Sequence, residues 1–413
     1  MVAATLPRGV IERIVEVLDP EEAANHLQQA GTMRTAWGSV PFVRDAGNAG
    51  HRRPVRTTMM TKAAPIVALA LAACGAAASA STFADQLAAN ERRHGVVGQA
   101  VLVMRDDQVL FRGVRGMADA ASHRPLRVDD VFPVFSVAKL FTSTLVMQLV
   151  ERGEVDPSQP ISRYAADLPE RWRAVTVQQL LDHVSGLPDY FEADRTVTFP
   201  PTAKAMFASL ADRELAFAPG TQVRYNQTNY VVLGELLEAH YHKPYRQIAT
   251  EQIIAPLGLT NTYFGRRNVP ANKLVSNYRG ADGAAVPNQI YPWPEYSYVH
   301  VELFTTLADL GAFVSAVRKG RFVKPETVQR MWRPYRLVDG GRSYWGGGWE
   351  VESRGDERRV GHDGGEAVRA MLVFTDSLAH GTYTYIYLTN GSTSNVWTRT
   401  LIESLMPIAT KSH

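Results

Sequence analysis

A single cysteine, Cys74, occurs in the 413 residues, so no disulfide can close within the chain. Lys/Arg blocks interleaved with aromatics are missing, and a net charge of +3 is too mild to mark a nucleic-acid partner. There is no phosphate loop, dinucleotide fingerprint or His-Glu-x-x-His, and Ser185 lacks the preceding glycine that a Gly-x-Ser-x-Gly elbow needs. His240 and His242 stand two apart, the wrong offset for one helical face, and read as a solvated helix end rather than a metal site. Neither a cofactor nor a metal is expected. The main uncharged apolar run, residues 63–73, is too short and too rich in alanine to suggest a transmembrane helix. What is present, 45% hydrophobic and 21% charged residues, describes a globular chain long enough for two domains or one large one.

The first 58 residues differ in texture from the rest and are expected to be unstructured or not translated. Met59, Met60 and Lys62, the apolar run, and small residues to Ala80 have the make-up of a secretory signal at residues 59–80. Translation from Met59 or Met60 and a periplasmic or secreted location follow as expectations. Two processing sites stay open: a lipoprotein-type box ending at Cys74, which would then carry a lipid, and the small-x-small site Ala78-Ser79-Ala80. Contact with a membrane is expected only through such a lipid.

Strand-like runs cluster at the two ends of the remaining chain. Residues 96–105 and 108–114 read as a hairpin turned at Asp106-Asp107; residues 344–352, 359–361, 370–374 and 383–389 read as strands near the C-terminus. Helical periodicity dominates between them, over 176–183, 203–210, 230–242 and 245–254, with a further helix over 307–317. The fold class is therefore α+β: one antiparallel sheet from N- and C-terminal segments flanked by helices, with a helical unit inserted. The boundaries read as a sheet domain of residues 81–153 plus 300–408 and an α-rich domain of residues 154–299.

Residues 137–150 are almost wholly apolar or small, without Gly or Pro, and predict a helix buried on most sides and ended near Gly153. Ser136 sits at its mouth with Lys139 one turn on. A cation in the first turn opposes the helix dipole and calls for a reason. At i and i+3 the two side chains share a face, and burial would depress the amine until it could accept the Ser136 proton. A capping serine with a snorkelling lysine is the plainer alternative. Tyr225, just before a second helix, could pass a proton to a leaving group or be an ordinary buried tyrosine. The run Gly361-His362-Asp363-Gly364-Gly365 could let a ligand approach backbone at a strand edge, or be a polar hairpin turn.

These three stretches, in this order, resemble the serine β-lactamase and penicillin-binding-protein superfamily, specifically its class C-like branch with related esterases, D-aminopeptidases and D-Ala carboxypeptidases. The resemblance continues in Leu180-Leu181-Asp182-His183-Val184-Ser185-Gly186-Leu187-Pro188, similar to an LLxHxSGLP signature, in Pro256-Leu257-Gly258, and in the Gly-rich Tyr344-Trp345-Gly346-Gly347-Gly348-Trp349; it covers roughly residues 83–405. It implies a β-lactamase/transpeptidase-like fold. It also implies Ser136 as acyl-accepting nucleophile, Lys139 as its base, Tyr225 as general base and acid partner, and the N–H groups of Ser136 and Gly365 as oxyanion hole. Gly364 matches the glycine of the family's Lys-Thr-Gly.

Two positions depart from the pattern. Gln227 stands where the family has Asn, one methylene further out, so it is expected to hold Lys139 and the substrate carbonyl less well or in a shifted pose. His362 stands in the place of the lysine of Lys-Thr-Gly, which turns the expected substrate away from β-lactams toward neutral esters or amides. Asp363 adds a negative charge nearby, which would either disfavour a substrate carboxylate further or raise the His362 pKa and partly restore the cation. The aromatic run 291–298 would line an acyl pocket or form a Pro-stiffened surface loop. The expectation is a serine hydrolase working through an acyl-enzyme on a small ester, amide or peptide, with a D-Ala carboxypeptidase, D-aminopeptidase or β-lactamase as the near alternative and a non-hydrolytic acyl-binding sensor as the distant one.

Overall fold

Thr82 and Asp85 each accept from the other's backbone N–H, a reciprocal cap that starts α1 (Phe83–His94), and Gly95 closes it in the left-handed region. Next come β1 (Gly98–Arg105) and β2 (Gln108–Asp119), turned at Asp106 with φ +53°. This is the expected hairpin with a longer second arm. Short strands β3 (Arg124–Pro125) and β4 (Phe132–Pro133) lead into a 3-10 turn, Phe135–Ala138, and then α2 (Lys139–Glu151). The middle of the chain supplies α3 (Val177–Leu181), α4 (Ala203–Leu210), α5 (Thr228–Tyr241) and α6 (Tyr245–Ala249), the last continuing through a π-helical segment, Thr250–Ile254. Among these helices the sequence pattern hid β5 (Tyr263–Phe264) and a hairpin of β6 (Tyr278–Ala281) and β7 (Ala284–Pro287). After β8 (Leu303–Thr305) come α7 (Leu307–Arg318) and α8 (Pro325–Met331). The chain ends with β9 (Trp345–Gly346), β10 (Trp349–Arg354), β11 (Glu357–Gly364), β12 (Val368–Thr375), β13 (Thr382–Thr389), α9 (Thr398–Glu403) and α10 (Met406–Lys411).

The computed structural model describes residues 82–191, 199–288, 293–365, 368–375 and 381–411, all within one unit, residues 78–413. Residues 1–58, the leader at 59–80 with Cys74, and Tyr291 and Pro292 of the aromatic run lie outside the described residues. No helix among the described residues is long and apolar enough to cross a membrane.

The main sheet is antiparallel throughout, in the order β3-β2-β1-β13-β12-β11-β10-β9. The N- and C-terminal strands meet in mid-sheet, where β1 pairs with β13, with Ala100 opposite Leu388 and Val103 opposite Tyr385. Strand β1 is buried on both faces, and its period of two divides it cleanly. Val101 and Val103 join Phe83, Leu87, Tyr385, Leu401 and Ile402 on one face, whereas Ala100, Leu102 and Met104 join the main core on the other. The main core is centred on α2, where Phe141 stacks on Phe313 of α7 with ring centroids 3.9 Å apart.

Because α2 is buried all round, its polar side chains must find partners inside. Thr142 donates to the Val299 carbonyl at 2.6 Å, Thr144 to Leu140 at 2.7 Å, and Ser143 to the Gly347 carbonyl. The Thr142 and Ser143 bonds tie α2 to the segment before β8 and to the glycines between β9 and β10. They fix where the first turn of α2 points.

Candidate functional site

Ser136 lies in the 3-10 turn rather than at a helix cap: neither that turn nor α2 begins with a side-chain cap. The preceding Phe135 is held at φ +45°, a costly conformation for a bulky residue, of the sort that collects at functional sites. The capping-serine alternative therefore fails on geometry.

Lys139 is fully buried, and its Nζ faces three acceptors: Gln227 Oε1 at 2.7 Å, Ser136 Oγ at 3.4 Å and the His300 carbonyl at 3.4 Å. It also lies over the rings of Tyr225 and Tyr230, 4.8 and 5.4 Å from their centroids. The snorkelling alternative fails as well, since the ammonium end is the buried end. Burial drives its pKa well below the usual lysine value, only partly countered by the nearby Asp189 carboxylate. Gln227 reaches the amine fully despite its departure from the family's Asn, and the expected weaker hold on Lys139 is not what the geometry has.

Tyr225 is clamped by His183. The Arg224 N–H donates to the His183 carbonyl at 2.9 Å, the Asn226 N–H donates to His183 Nδ1 at 3.1 Å, and the two rings lie 4.5 Å apart. The Tyr225 hydroxyl is buried and turned toward Ser136 and Gln227, both of which favour its ionisation without reaching hydrogen-bond geometry. Burial outweighs them and holds the phenol well above its ordinary pKa. Burial, then the positive charge of Lys139, likewise pushes His183 and His300 well below the usual imidazole value. Trp345 closes the back, 5.6 Å from Tyr225, 4.7 Å from His183 and 5.2 Å from His362.

His362 is buried within β11 and packs 6.1 Å from the Tyr225 ring. The ladder to β10 ends at Gly361, so in the sheet residues 362–364 pair with β12, and β11 lies close to the 3-10 turn that carries Ser136. The polar-turn alternative for this run is set aside: it is strand to Gly364, with Gly365 beyond it at φ +59°. Asp363 needs a correction. Its carboxylate meets Arg399 Nη2 at 3.2 Å, and neighbouring strand residues point to opposite faces, so its charge is compensated rather than added beside the His362 imidazole.

Two residues without a sequence-based assignment belong to this centre. In the sequence His183 is only a letter in a motif. Asp189 belongs to no sequence motif; it is buried and accepts from the backbone N–H groups of Phe191 and Gln227 at 3.0 and 3.1 Å. Its pKa is raised by burial, against the pull of those bonds and of Lys139. His240, in contrast, sits against Glu154 at 3.2 Å.

From the aromatic run, Trp293 stacks on Phe199 at 4.8 Å, and Tyr296 lies 5.9 Å from Tyr190, whose hydroxyl meets His300 Nε2 at 2.6 Å. Its described part thus borders the residue whose carbonyl faces Lys139.

This combination of helices with an antiparallel sheet is shared with the β-lactamase and penicillin-binding-protein-like folds. The chain belongs to the Beta-lactamase family, whose model matches residues 23–401. It is similar to the D-alanyl-D-alanine-carboxypeptidase/endopeptidase AmpH of Escherichia coli K12, with 31% identity over 194 residues, covering 45% of this chain and 50% of that one. It is also similar to the D-aminopeptidase of Brucella canis, with 25% identity over 278 residues, covering 65% and 51%. The chain thus spans about half the length of these curated relatives. The solved D-amino acid amidase from Ochrobactrum anthropi SV3 superposes with a TM-score of 0.66 at 21% identity, covering 79% of this chain and 98% of the other.

Proposed function

We propose that this hydrolase-family chain is a serine hydrolase that works through an acyl-enzyme on small esters, amides or peptides. The observation that carries the reading is the dry amine: Nζ of Lys139, fully buried and depressed in pKa, 3.4 Å from Ser136 Oγ. A neutral amine there takes the Ser136 proton as Oγ attacks a carbonyl carbon. The oxyanion is held by the N–H groups of Ser136 and Gly365. Tyr225, kept as a neutral phenol by burial, hands a proton to the leaving group and recovers one from Lys139 as the carbonyl re-forms. Water then attacks the Ser136 ester by the same route in reverse and frees the acyl group as an acid.

Peptide and amide substrates gain support from the names of the two curated relatives. A non-hydrolytic sensor would need Gln227 to hold Lys139 poorly, and the 2.7 Å contact from that amide to Lys139 counts against it. Secretion through residues 59–80, with Cys74 as a candidate lipid site, belongs to the same proposal. Intact-mass measurement of the native protein reads its N-terminus and any lipid.

The decisive test is Ser136→Ala. It should abolish turnover and fluorophosphonate labelling while the unfolding temperature stays within a degree or two of wild type. Labelling that persists in the variant removes Ser136 from the mechanism.

A further inference from the structure

Resting on the acyl-enzyme proposal, the direction in which Lys139 presents its lone pair can be traced one layer further out. A neutral amine has two hydrogens and one lone pair, and Nζ faces three oxygens. Gln227 Oε1 and the His300 carbonyl can only accept, so they take the two hydrogens. The lone pair is then left for the Ser136 hydroxyl. The contacts to Ser136 Oγ and to the His300 carbonyl are both 3.4 Å, at the long end for a hydrogen bond, so a small displacement of either oxygen breaks them.

The His300 carbonyl stands at the start of a strained turn. The 3-10 segment Glu295–Val299 ends at His300, and two residues on Glu302 adopts φ +61°, the left-handed region that costs a residue other than glycine. Such a turn persists only where outside contacts hold it. On one side the Gly265 N–H donates to the Glu302 carbonyl at 2.9 Å. On the other the buried His300 imidazole meets the Tyr190 hydroxyl through Nε2 at 2.6 Å. Tyr190 is itself fixed: its N–H donates to Thr228 Oγ1 at 3.0 Å, and its ring lies 5.9 Å from those of Phe199 and Tyr296. Its neighbour Asp189 accepts from the Gln227 N–H at 3.1 Å. One short segment, residues 189–191, is thus tied to both Gln227 and His300, the two residues whose oxygens take the hydrogens of Lys139.

We infer that Tyr190 and His300 are a positioning pair: the bond between their side chains sets where the His300 carbonyl stands, and so points the Lys139 lone pair at Ser136. They act through that carbonyl and carry no proton themselves. Burial holds the phenol well above and the imidazole well below its ordinary pKa, so near neutral pH both are uncharged.

Tyr190→Phe keeps the ring and deletes the bond, and fluorophosphonate labelling separates positioning from folding. The final stoichiometry counts folded sites, and the rate constant reads how well Ser136 is activated. The variant should label to the wild-type stoichiometry but about fivefold more slowly, the scale of one hydrogen bond, with kcat on 4-nitrophenyl acetate down in step and KM nearly unchanged. In a His300→Leu background the same deletion should cost nothing further. A wild-type labelling rate in Tyr190→Phe, a loss confined to stoichiometry, or losses that multiply in the double variant would each overturn the inference. If wild type neither labels nor turns over, the acyl-enzyme reading is what has failed, and the amine itself decides the pair. The Lys139 Cε resonance in isotope-labelled protein, identified by its loss in Lys139→Arg, should then move in both Tyr190→Phe and His300→Leu; a resonance unmoved in either overturns the pair.

Discussion

In the proposed mechanism Lys139 is a base only while it is neutral, and its contacts pull in opposite directions. Burial favours the free amine, whereas Gln227 Oε1 at 2.7 Å and the Asp189 carboxylate favour the ammonium. Gln227→Met keeps the volume and deletes the acceptor. The Lys139 pKa should fall further, and because activity rises with pH as the amine loses its proton, the acidic limb of kcat/KM should move to lower pH. A lost charge-assisted bond implies a shift of about one pH unit or more, with kcat down about tenfold from the unanchored amine. A limb that stays put would mean that another group sets it. Residue types in order were enough to nominate Ser136, Lys139, Tyr225 and Gln227, which the structure brings together around the Lys139 amine. His183 and Asp189 escaped because they act through bonds to the backbone at Asn226 and Gln227, about forty residues away, which no residue pattern encodes. For Asp363 the strand alternation was readable, and it would have placed the carboxylate on the face away from His362.

Asp182 shows what holds the elements around the centre. It ends α3, and its buried carboxyl accepts from Gln178 Nε2 at 2.5 Å and from the Gly348 N–H at 3.3 Å, joining the helix to the glycines that separate β9 from β10. Burial outweighs these bonds and pushes its pKa up to about 7. The folded chain therefore keeps a proton that the unfolded chain loses from about pH 4, so this group's contribution to stability declines as pH rises from about 4 to 7. Asp182→Asn removes the ionisation and retains an acceptor for Gly348. Denaturant unfolding should show the variant gaining on wild type as pH rises, by up to about 4 kcal/mol above pH 7, and losing that advantage near pH 4. A constant difference across that range would sink the assignment. The elements themselves were legible where period and burial agree, as in β1, α4 and α7. The expected strand over 344–352 divides because Gly347 and Gly348 adopt φ of +55° and +82°, and Gly348 lies so close to Tyr230 Oη that a Cβ would meet it at 2.5 Å. The β6–β7 hairpin went unseen because its strands are four residues each, too short to show a period.

The whole molecule depends on its C-terminal segment returning to strands laid down by different parts of the chain. β13 zips onto β1, and α9 then lies against the far side of the sheet, where Leu401 and Ile402 fill the smaller core. Arg399 is the electrostatic pin of that closure. Its Nη2 meets Glu350 Oε2 at 2.8 Å and Asp363 Oδ2 at 3.2 Å, and its Nη1 pairs with Glu352, so one guanidinium from α9 spans β10 and β11. Burial pulls its pKa down, but the three carboxylates outweigh burial and hold it above the ordinary arginine value. Arg399→Met keeps most of the side-chain bulk and removes the cation that the carboxylates share. Taking one partner from a mostly buried cluster is the costly case, about 3 kcal/mol here, and the loss should appear as a lower midpoint in urea with an unchanged slope, because the same surface is exposed on unfolding. Arg399→Lys, which restores charge without the fork, should recover only part of it. Were the methionine variant as stable as wild type, the closure would rest on β13 and the apolar contacts of α9, and the charge cluster would be neutral to the fold.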